Sequence, residues 1–413
     1  MSKKSFLIAI LILVSISAFI MACHGPFTTH VPLDTYANDD VRYLHSAKTL
    51  IETGRLTYFS PGVSTVFIMP GYVFILAPFV ALFGEVGAIL AFKIFQVLLA
   101  ILNIYLIGLI AKRVFGGRAA NLAMIFAALY PTTAFASMTI YTETVFTTIL
   151  LGLILLTIIA FEKNSLKYFA IAGVVWTIGV LFRPVIATFP LIMLIMFLIK
   201  KYSFKQIFRI SLVVTAIFVV MMLPWWIRNY KTFNRFIPLT LSSGPPLYEG
   251  TLKLTTAPEV KTHEEMIEIL KETAADAAQD EIAFDANMRA GAMERISTMA
   301  KENFPALLGM YATKMGVQWA QPFSISGRED ALNFIVFITS LLLHLFFVLS
   351  FVLKSKLIKP EGRLYLLMII LYFNFMHVPF VALPRYMFPV MPLVIMFAAD
   401  AWANHKFKGG KAA

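Results

Sequence analysis

The sequence predicts an all-α integral membrane protein of about ten transmembrane helices, with further helices lying in the outer interface within its polar extracytoplasmic loops. Three observations carry that expectation. Hydrophobic residues make up 59% of the chain and charged ones only 14%. Several apolar runs are long enough to cross ~30 Å of hydrocarbon. Basic residues, the source of a net charge of +12, collect at alternate ends of those runs, as the positive-inside rule requires. A soluble fold is thereby excluded, and Cys23, the only cysteine, allows neither an internal disulfide nor a cysteine-rich zinc site.

Taken in order, residues 5–22 form a first span behind the basic start of Lys3 and Lys4, which places the N-terminus in the cytoplasm. A cleaved signal peptide is the competing reading, but this run exceeds the usual apolar core of a signal. Residues 23–86 form the first extracytoplasmic loop. Within it, 61–84 is divided by Pro70 and Pro78 into pieces too short to span comfortably, so an interfacial helix is expected there. Residues 87–111 cross inward to Lys112, Arg113 and Arg118. Residues 119–138 return outward, 143–161 go inward to Lys163 and Lys167, and 168–182 come out again. Residues 184–199 lead to Lys200 and Lys201, and 207–227 leave once more.

The stretch 228–330 is the long polar loop and falls outside the membrane by this count. It holds a charged helical stretch at 263–280 and an amphipathic surface helix at 303–323, marked by Phe304, Leu307, Leu308, Tyr311, Met315 and Trp319. Spans at 331–353, 364–383 and 386–403 complete a single membrane-embedded domain over 1–413, with the basic loop 354–363 and a Lys-rich tail in the cytoplasm. On this topology the only acids on the cytoplasmic side are Glu162, Glu361 and Asp400. The basic excess is therefore a signal of membrane orientation, and no nucleic-acid partner is expected.

One polar stretch stands out between the apolar runs, DTYANDDVRYLHSAKTLIETGRL at 34–56. Asn38 can cap a helix that Gly54 ends, with Val41, Leu44, Ala47 and Ile51 on its apolar side and Arg42, His45, Lys48 and Glu52 on the other. Asp39 and Asp40 then lie in the first turn, where free amides and the helix dipole favour an ionised carboxylate. Four more ionisable residues fall on the same side of the membrane: Glu143 after Tyr141 and Thr142, Arg183 before Pro184, Arg228 after Trp225 and Trp226, and Arg385 after Pro384. Charges at such depth are expensive and face a cavity or a partner. An arginine there can also be a snorkelling anchor, but three arginines and two acidic loops on one face are better explained by a shared site. Trp225 and Trp226 read as an interfacial aromatic belt.

The pattern resembles the GT-C superfamily of membrane glycosyltransferases, in the branch of the protein O-mannosyltransferases and the lipid A aminoarabinose transferase. It is carried by Asp39 to Tyr43, by Met69, Pro70, Gly71 and Tyr72 leading to Gly84, and by Lys112 and Arg113 before Gly116. Tyr141 to Glu143, Leu181 to Pro184, Pro224 to Asn229, and Arg385 and Tyr386 with Pro389 and Pro392 complete it. The resemblance implies transfer of a sugar from a polyprenyl-phosphate donor in the outer leaflet to a hydroxyl on a glycan, lipid or protein, with inversion. It places the general base at Asp39, with Asp40 as the fallback, and puts Glu143 where it orients the acceptor or a divalent cation. Arg183, Arg228 and Arg385 become the candidates for the donor phosphate, because a guanidinium fork binds phosphate oxygens in pairs. No other cofactor is implied. Met69 stands where many relatives have a double proline, and the long loop carries no sugar-binding trefoil. A transporter or flippase for polyprenyl phosphate or another solute would use the same arginines without needing the Asp pair.

Overall fold

The computed structural model describes residues 2–252, 280–323, 331–354 and 361–403. The charged stretch 263–280 lies outside the described residues except for Asp280, as do the interior of the basic loop 354–363 and the C-terminal lysines. Among the described residues all regular structure is helical, apart from one isolated antiparallel bridge between Thr57 and Ser64.

The chain begins with α1 (Lys3–His24), α2 (Asp39–Thr53) and the long α3 (Gly71–Val114). Next come α4 (Gly117–Leu129), α5 (Pro131–Ser137), α6 (Glu143–Lys163) and α7 (Leu166–Phe182). After them lie α8 (Pro190–Ile199), α9 (Phe204–Phe233) and α10 (Gly244–Leu252). Then follow α11 (Glu281–Glu302), α12 (Phe304–Val317), α13 (Ala331–Lys354), α14 (Glu361–His377) and α15 (Met391–Ala403). Six described helical segments are long and apolar enough to cross a membrane, and a seventh if α4 and α5 count as one bent span. Leucine, isoleucine and phenylalanine line the outward faces of α1, α3 and α9, where a globular protein in water would carry charge. The core instead runs along α15, whose residues 391–400 are all buried and which packs on α4 and α13.

Three breaks matter for the site. In α3, Gly84 takes φ 68° and ψ 173°, so the helix bends there. The apolar stretch before Gly84 is thus set off from the run that follows by the bend at Gly84, whereas Pro78, expected to divide it, lies inside the helix. Glu85, just past the bend, accepts from Lys48 Nζ at 3.0 Å and lies 2.7 Å from His45 Nδ1, tying α2 to the elbow. The expected single span 119–138 is instead two helices meeting at 61°. Pro131 pushes Tyr130 out of helical geometry, to φ −75° and ψ 105°, and ends α4. The same effect acts at Pro184. Arg183 is extended at φ −141° and ψ 114°, so α7 stops at Phe182 and a 3₁₀ turn, Pro184–Thr188, follows. A second 3₁₀ helix, Pro384–Val390, carries Arg385 into α15. Gly71 opens α3 against this corner: a Cβ there would stand 2.6 Å from the Phe182 ring and 2.7 Å from the Leu181 carbonyl.

Candidate active site

The helix predicted at the Asp pair is α2, but its buried stripe is wider than expected. Val41, Leu44 and Ala47 are fully buried and are joined by Tyr43, Ser46 and Thr49, whereas Ile51 is exposed. Gly54 ends the helix in the left-handed conformation, φ 71°, with its N–H on the Leu50 carbonyl. Asn38 is the N-cap, and its Oδ1 accepts from the N–H of Asp39 at 2.6 Å and from the Tyr141 hydroxyl at 2.9 Å. The cap thus links the start of α2 to the turn before α6.

Asp39 faces a cluster assembled from elements far apart in sequence. Its Oδ2 accepts from Arg385 Nη2 at 3.0 Å, and its Oδ1 accepts from the Tyr58 hydroxyl at 2.6 Å. Arg385 also donates through Nε to Glu143 Oε1 at 3.0 Å, and its guanidinium lies 4.8 Å from the Tyr141 ring centre. Arg183 Nη2 donates to the same Glu143 oxygen at 2.5 Å, while its Nε and Nη2 both reach the Thr142 hydroxyl. Two carboxylates and two guanidiniums therefore form one chain, Asp39 to Arg385 to Glu143 to Arg183. Glu143 is wholly buried at the first residue of α6, with Oε2 unpartnered, whereas the side chain of Asp39 is 28% exposed. Asp39 is the acid a substrate can reach.

Burial alone would push the Asp39 carboxyl up, but Arg385, the Tyr58 hydroxyl and Arg42 outweigh it and hold it below the usual carboxylate range. Asp39 is thus ionised at neutral pH and able to accept a proton. Burial, reinforced by the charge of Asp39, pushes the Tyr58 phenol well above its ordinary value, so Tyr58 is a neutral donor.

Of the six residues singled out in the sequence, these four come together and two do not. Asp40 is 1% exposed and turned away: its Oδ2 accepts from the backbone N–H of His30 at 2.6 Å and lies 3.0 Å from His30 Nδ1, anchoring the segment before α2. Arg228 donates to the Thr65 carbonyl at 2.7 Å and the Leu56 carbonyl at 3.4 Å, and it stacks against Trp225 and Phe233. Among the described residues, no three His, Cys, Asp or Glu side chains gather in a metal-ligand cluster. The two carboxylates that meet are bridged by Arg385. That donor set suits a guanidinium better than a divalent cation.

Tyr58 and Glu281 had not been singled out. Glu281, at the start of α11, accepts from the N–H of Val66 at 2.9 Å, and burial raises its carboxyl. No periodicity marks either residue.

Residues 68–227 match the family model of dolichyl-phosphate-mannose-protein mannosyltransferases. No curated protein sequence matches the chain. Among solved structures, the chain is similar to the apo oligosaccharyltransferase of Archaeoglobus fulgidus, at 14% identity and TM-score 0.56, covering 97% of this chain and 50% of that one. It is also similar to oligosaccharyltransferase AglB of that organism in complex with an inhibitory peptide and a dolichol-phosphate, at 15% identity and TM-score 0.53, covering 96% and 49%. ArnT from Cupriavidus metallidurans bound to undecaprenyl phosphate aligns at 12% identity and TM-score 0.47, covering 98% and 77%. The chain spans about half the length of the oligosaccharyltransferase, with which it shares its fold.

Proposed function

We propose that the chain is a membrane glycosyltransferase that moves a sugar from a polyprenyl-phosphate donor to an acceptor hydroxyl on the outer face of the membrane. The observation that carries this reading is Arg385, which holds Asp39 and Glu143 at 3.0 Å each at one end of the bundle. The mannosyltransferase match over 68–227 supports the reaction class, and the dolichol-phosphate complex of the similar fold supports a lipid-phosphate donor.

In this mechanism Asp39 takes the proton of the acceptor hydroxyl as its oxygen bonds to the anomeric carbon. On the opposite face of the sugar the bond from that carbon to the phosphate oxygen breaks, and polyprenyl phosphate leaves with the electron pair. The configuration inverts. A phosphate is already a good leaving group, so no dedicated acid is required. Arg385 and Arg183 receive its growing negative charge through their forks. Glu143 is the fixed counter-charge that holds both guanidiniums in place before the donor arrives. As phosphate draws Arg385 to itself, Asp39 loses its cation and becomes a stronger base, which links donor binding to base activation. Asp40 and Arg228 take supporting roles, anchoring the segments on either side of α2. The acceptor is a hydroxyl of a glycan, a lipid or a protein.

The test is transfer of radiolabel from a panel of polyprenyl-phosphate sugars by the purified protein, with the anomeric configuration of the product read by NMR. Inverted product from one donor is expected. Binding of polyprenyl phosphate with no transfer from any donor, together with its movement between leaflets of vesicles, would establish the flippase reading instead.

Sidedness is tested by labelling single cysteines in a Cys23→Ser background, because Cys23 is itself exposed. Cysteines at the exposed positions Arg55 and Glu302 should react with an impermeant maleimide in intact cells. Those at Lys163 and Lys201, also exposed, should react only after permeabilisation. The reverse pattern would put the site in the cytoplasm.

A further inference from the structure

We propose that Tyr58 is a positioning residue for the base: its hydroxyl occupies Oδ1 of Asp39 and leaves Oδ2, the oxygen beside Arg385, to take the acceptor's proton. The proposal rests on the reading of Asp39 as general base and adds to it which oxygen works and what holds it there.

Two features separate this from a buried tyrosine that merely satisfies its hydroxyl. The first is the partner. Tyr58 donates at 2.6 Å to the one partly exposed carboxylate of the cluster, and Arg385 donates at 3.0 Å to the other oxygen of that same group. Before the donor arrives the carboxylate is held from both sides, and once phosphate draws Arg385 away the Tyr58 bond alone keeps Oδ1 engaged and leaves Oδ2 to the acceptor.

The second is the loop that delivers it. The Thr57 carbonyl accepts from Ser46 Oγ on α2 at 2.5 Å, and the N–H of Thr65 donates to the Leu56 carbonyl at 2.8 Å. Arg228 reaches across from α9 to the carbonyls of Leu56 and Thr65, and Glu281 on α11 takes the N–H of Val66. Three separate helices thus fix a short hairpin-like loop. Its Tyr58 ring lies parallel to Phe67 at 5.8 Å and edge-on to Phe59 at 5.2 Å, with the Arg42 guanidinium 5.4 Å from its centre. Packing of that kind locks the ring and aims the hydroxyl.

The consequence is a pH dependence with a definite sign. The charged and titratable groups that act on Asp39 are Arg385, Arg42 and Tyr58, with Tyr43, Tyr141 and Tyr386 close enough to feel its charge. Tyr58 donates only to the ionised form in the role a base needs, so it keeps Asp39 active to lower pH. Removing the hydroxyl raises the Asp39 pKa, and the acid limb of the rate profile moves to higher pH.

The experiment is the pH profile of kcat and kcat/KM for Tyr58→Phe, which keeps the ring and its packing, beside 3-fluorotyrosine at position 58, a stronger hydrogen-bond donor. Thermal unfolding in detergent confirms that each variant is folded. Tyr58→Phe should lower kcat about tenfold and shift the acid limb up by about one pH unit, with donor KM little changed. The fluorinated tyrosine should shift the limb down. Folded variants with wild-type pH profiles would overturn the proposal, even if kcat had fallen. The variant Asp39→Asn, measured alongside, separates the two readings: if it stays active, the base assignment fails, and if it is inactive while the Tyr58 variants keep the wild-type limb, only the role of Tyr58 fails.

Discussion

The two ends of the helical bundle handle charge in opposite ways. At the end the sequence assigns to the cytoplasm, the described residues form three ion pairs that share no member: Arg113 with Glu162 at 3.6 Å, Lys200 with Glu361 at 2.6 Å and Arg363 with Asp400 at 2.9 Å. The first two pairs are largely in solvent, with Glu162 and Glu361 half exposed or more, and the third clamps α14 to α15. At the other end one guanidinium serves two carboxylates and one carboxylate serves two guanidiniums. Pairs that share no member keep their charges apart from one another. A shared chain of charges can exchange a partner for a phosphate or a proton without leaving any member isolated, which is what a site must do during turnover. The basic excess marks which end faces the cytoplasm, and convergence of the charges marks the candidate site.

That contrast fixes the scale of what each side chain should do. Arg385→Gln strikes the shared link and is expected to have the largest effect. Transfer should fall on the order of 10²- to 10³-fold, as for other lost donors to a developing charge, and the folded state should lose roughly 3 to 5 kcal/mol because Glu143 is left buried with one cation fewer. Activity and melting in detergent measure the two losses separately. A milder change is Arg183→Lys, which keeps the charge but cannot span Thr142 and Glu143 together. Donor KM should rise about tenfold with the fold intact.

Arg228→Ala leaves two loop carbonyls without their donor and should cost about 1 to 3 kcal/mol. It should lower kcat through Tyr58 more than it raises donor KM, whereas a large rise in KM alone would return Arg228 to the phosphate. At the opposite end, Lys200→Ala removes an exposed pair and should change stability by no more than about 0.5 kcal/mol, with normal turnover.

Much of this was legible in the sequence because hydrocarbon is an unforgiving solvent. Apolar runs, prolines and basic flanks located most of the helix boundaries, and the cost of charge at depth singled out Glu143, Arg183, Arg228 and Arg385 on the side of the Asp pair. What stayed hidden depends on contacts between distant segments. Asp40 and Asp39 are adjacent and chemically identical, and only the fold shows that one turns to His30 and the other to Arg385. Arg228 looked like its two counterparts until the Leu56 and Thr65 carbonyls came within its reach. Tyr58 acquires meaning only through a carboxylate 19 residues away. The bend between α4 and α5 was marked by Pro131, but the apolar run continues past it and masks the break.

The most direct measurement compares one carboxylate from each end in the same preparation, Asp39→Asn beside Asp400→Asn, scoring donor binding and transfer per folded molecule. Asp39→Asn keeps the size of the side chain and its place in the first turn of α2. It should bind donor and stay folded, while transfer falls by on the order of 10²- to 10⁴-fold, the range for loss of a general base. Asp400→Asn breaks the pair with Arg363 and should lower the melting temperature, yet transfer at the wild-type rate. Near-normal transfer by folded Asp39→Asn would contradict the assignment of the base and, with it, the reading of the convergent end as the catalytic one.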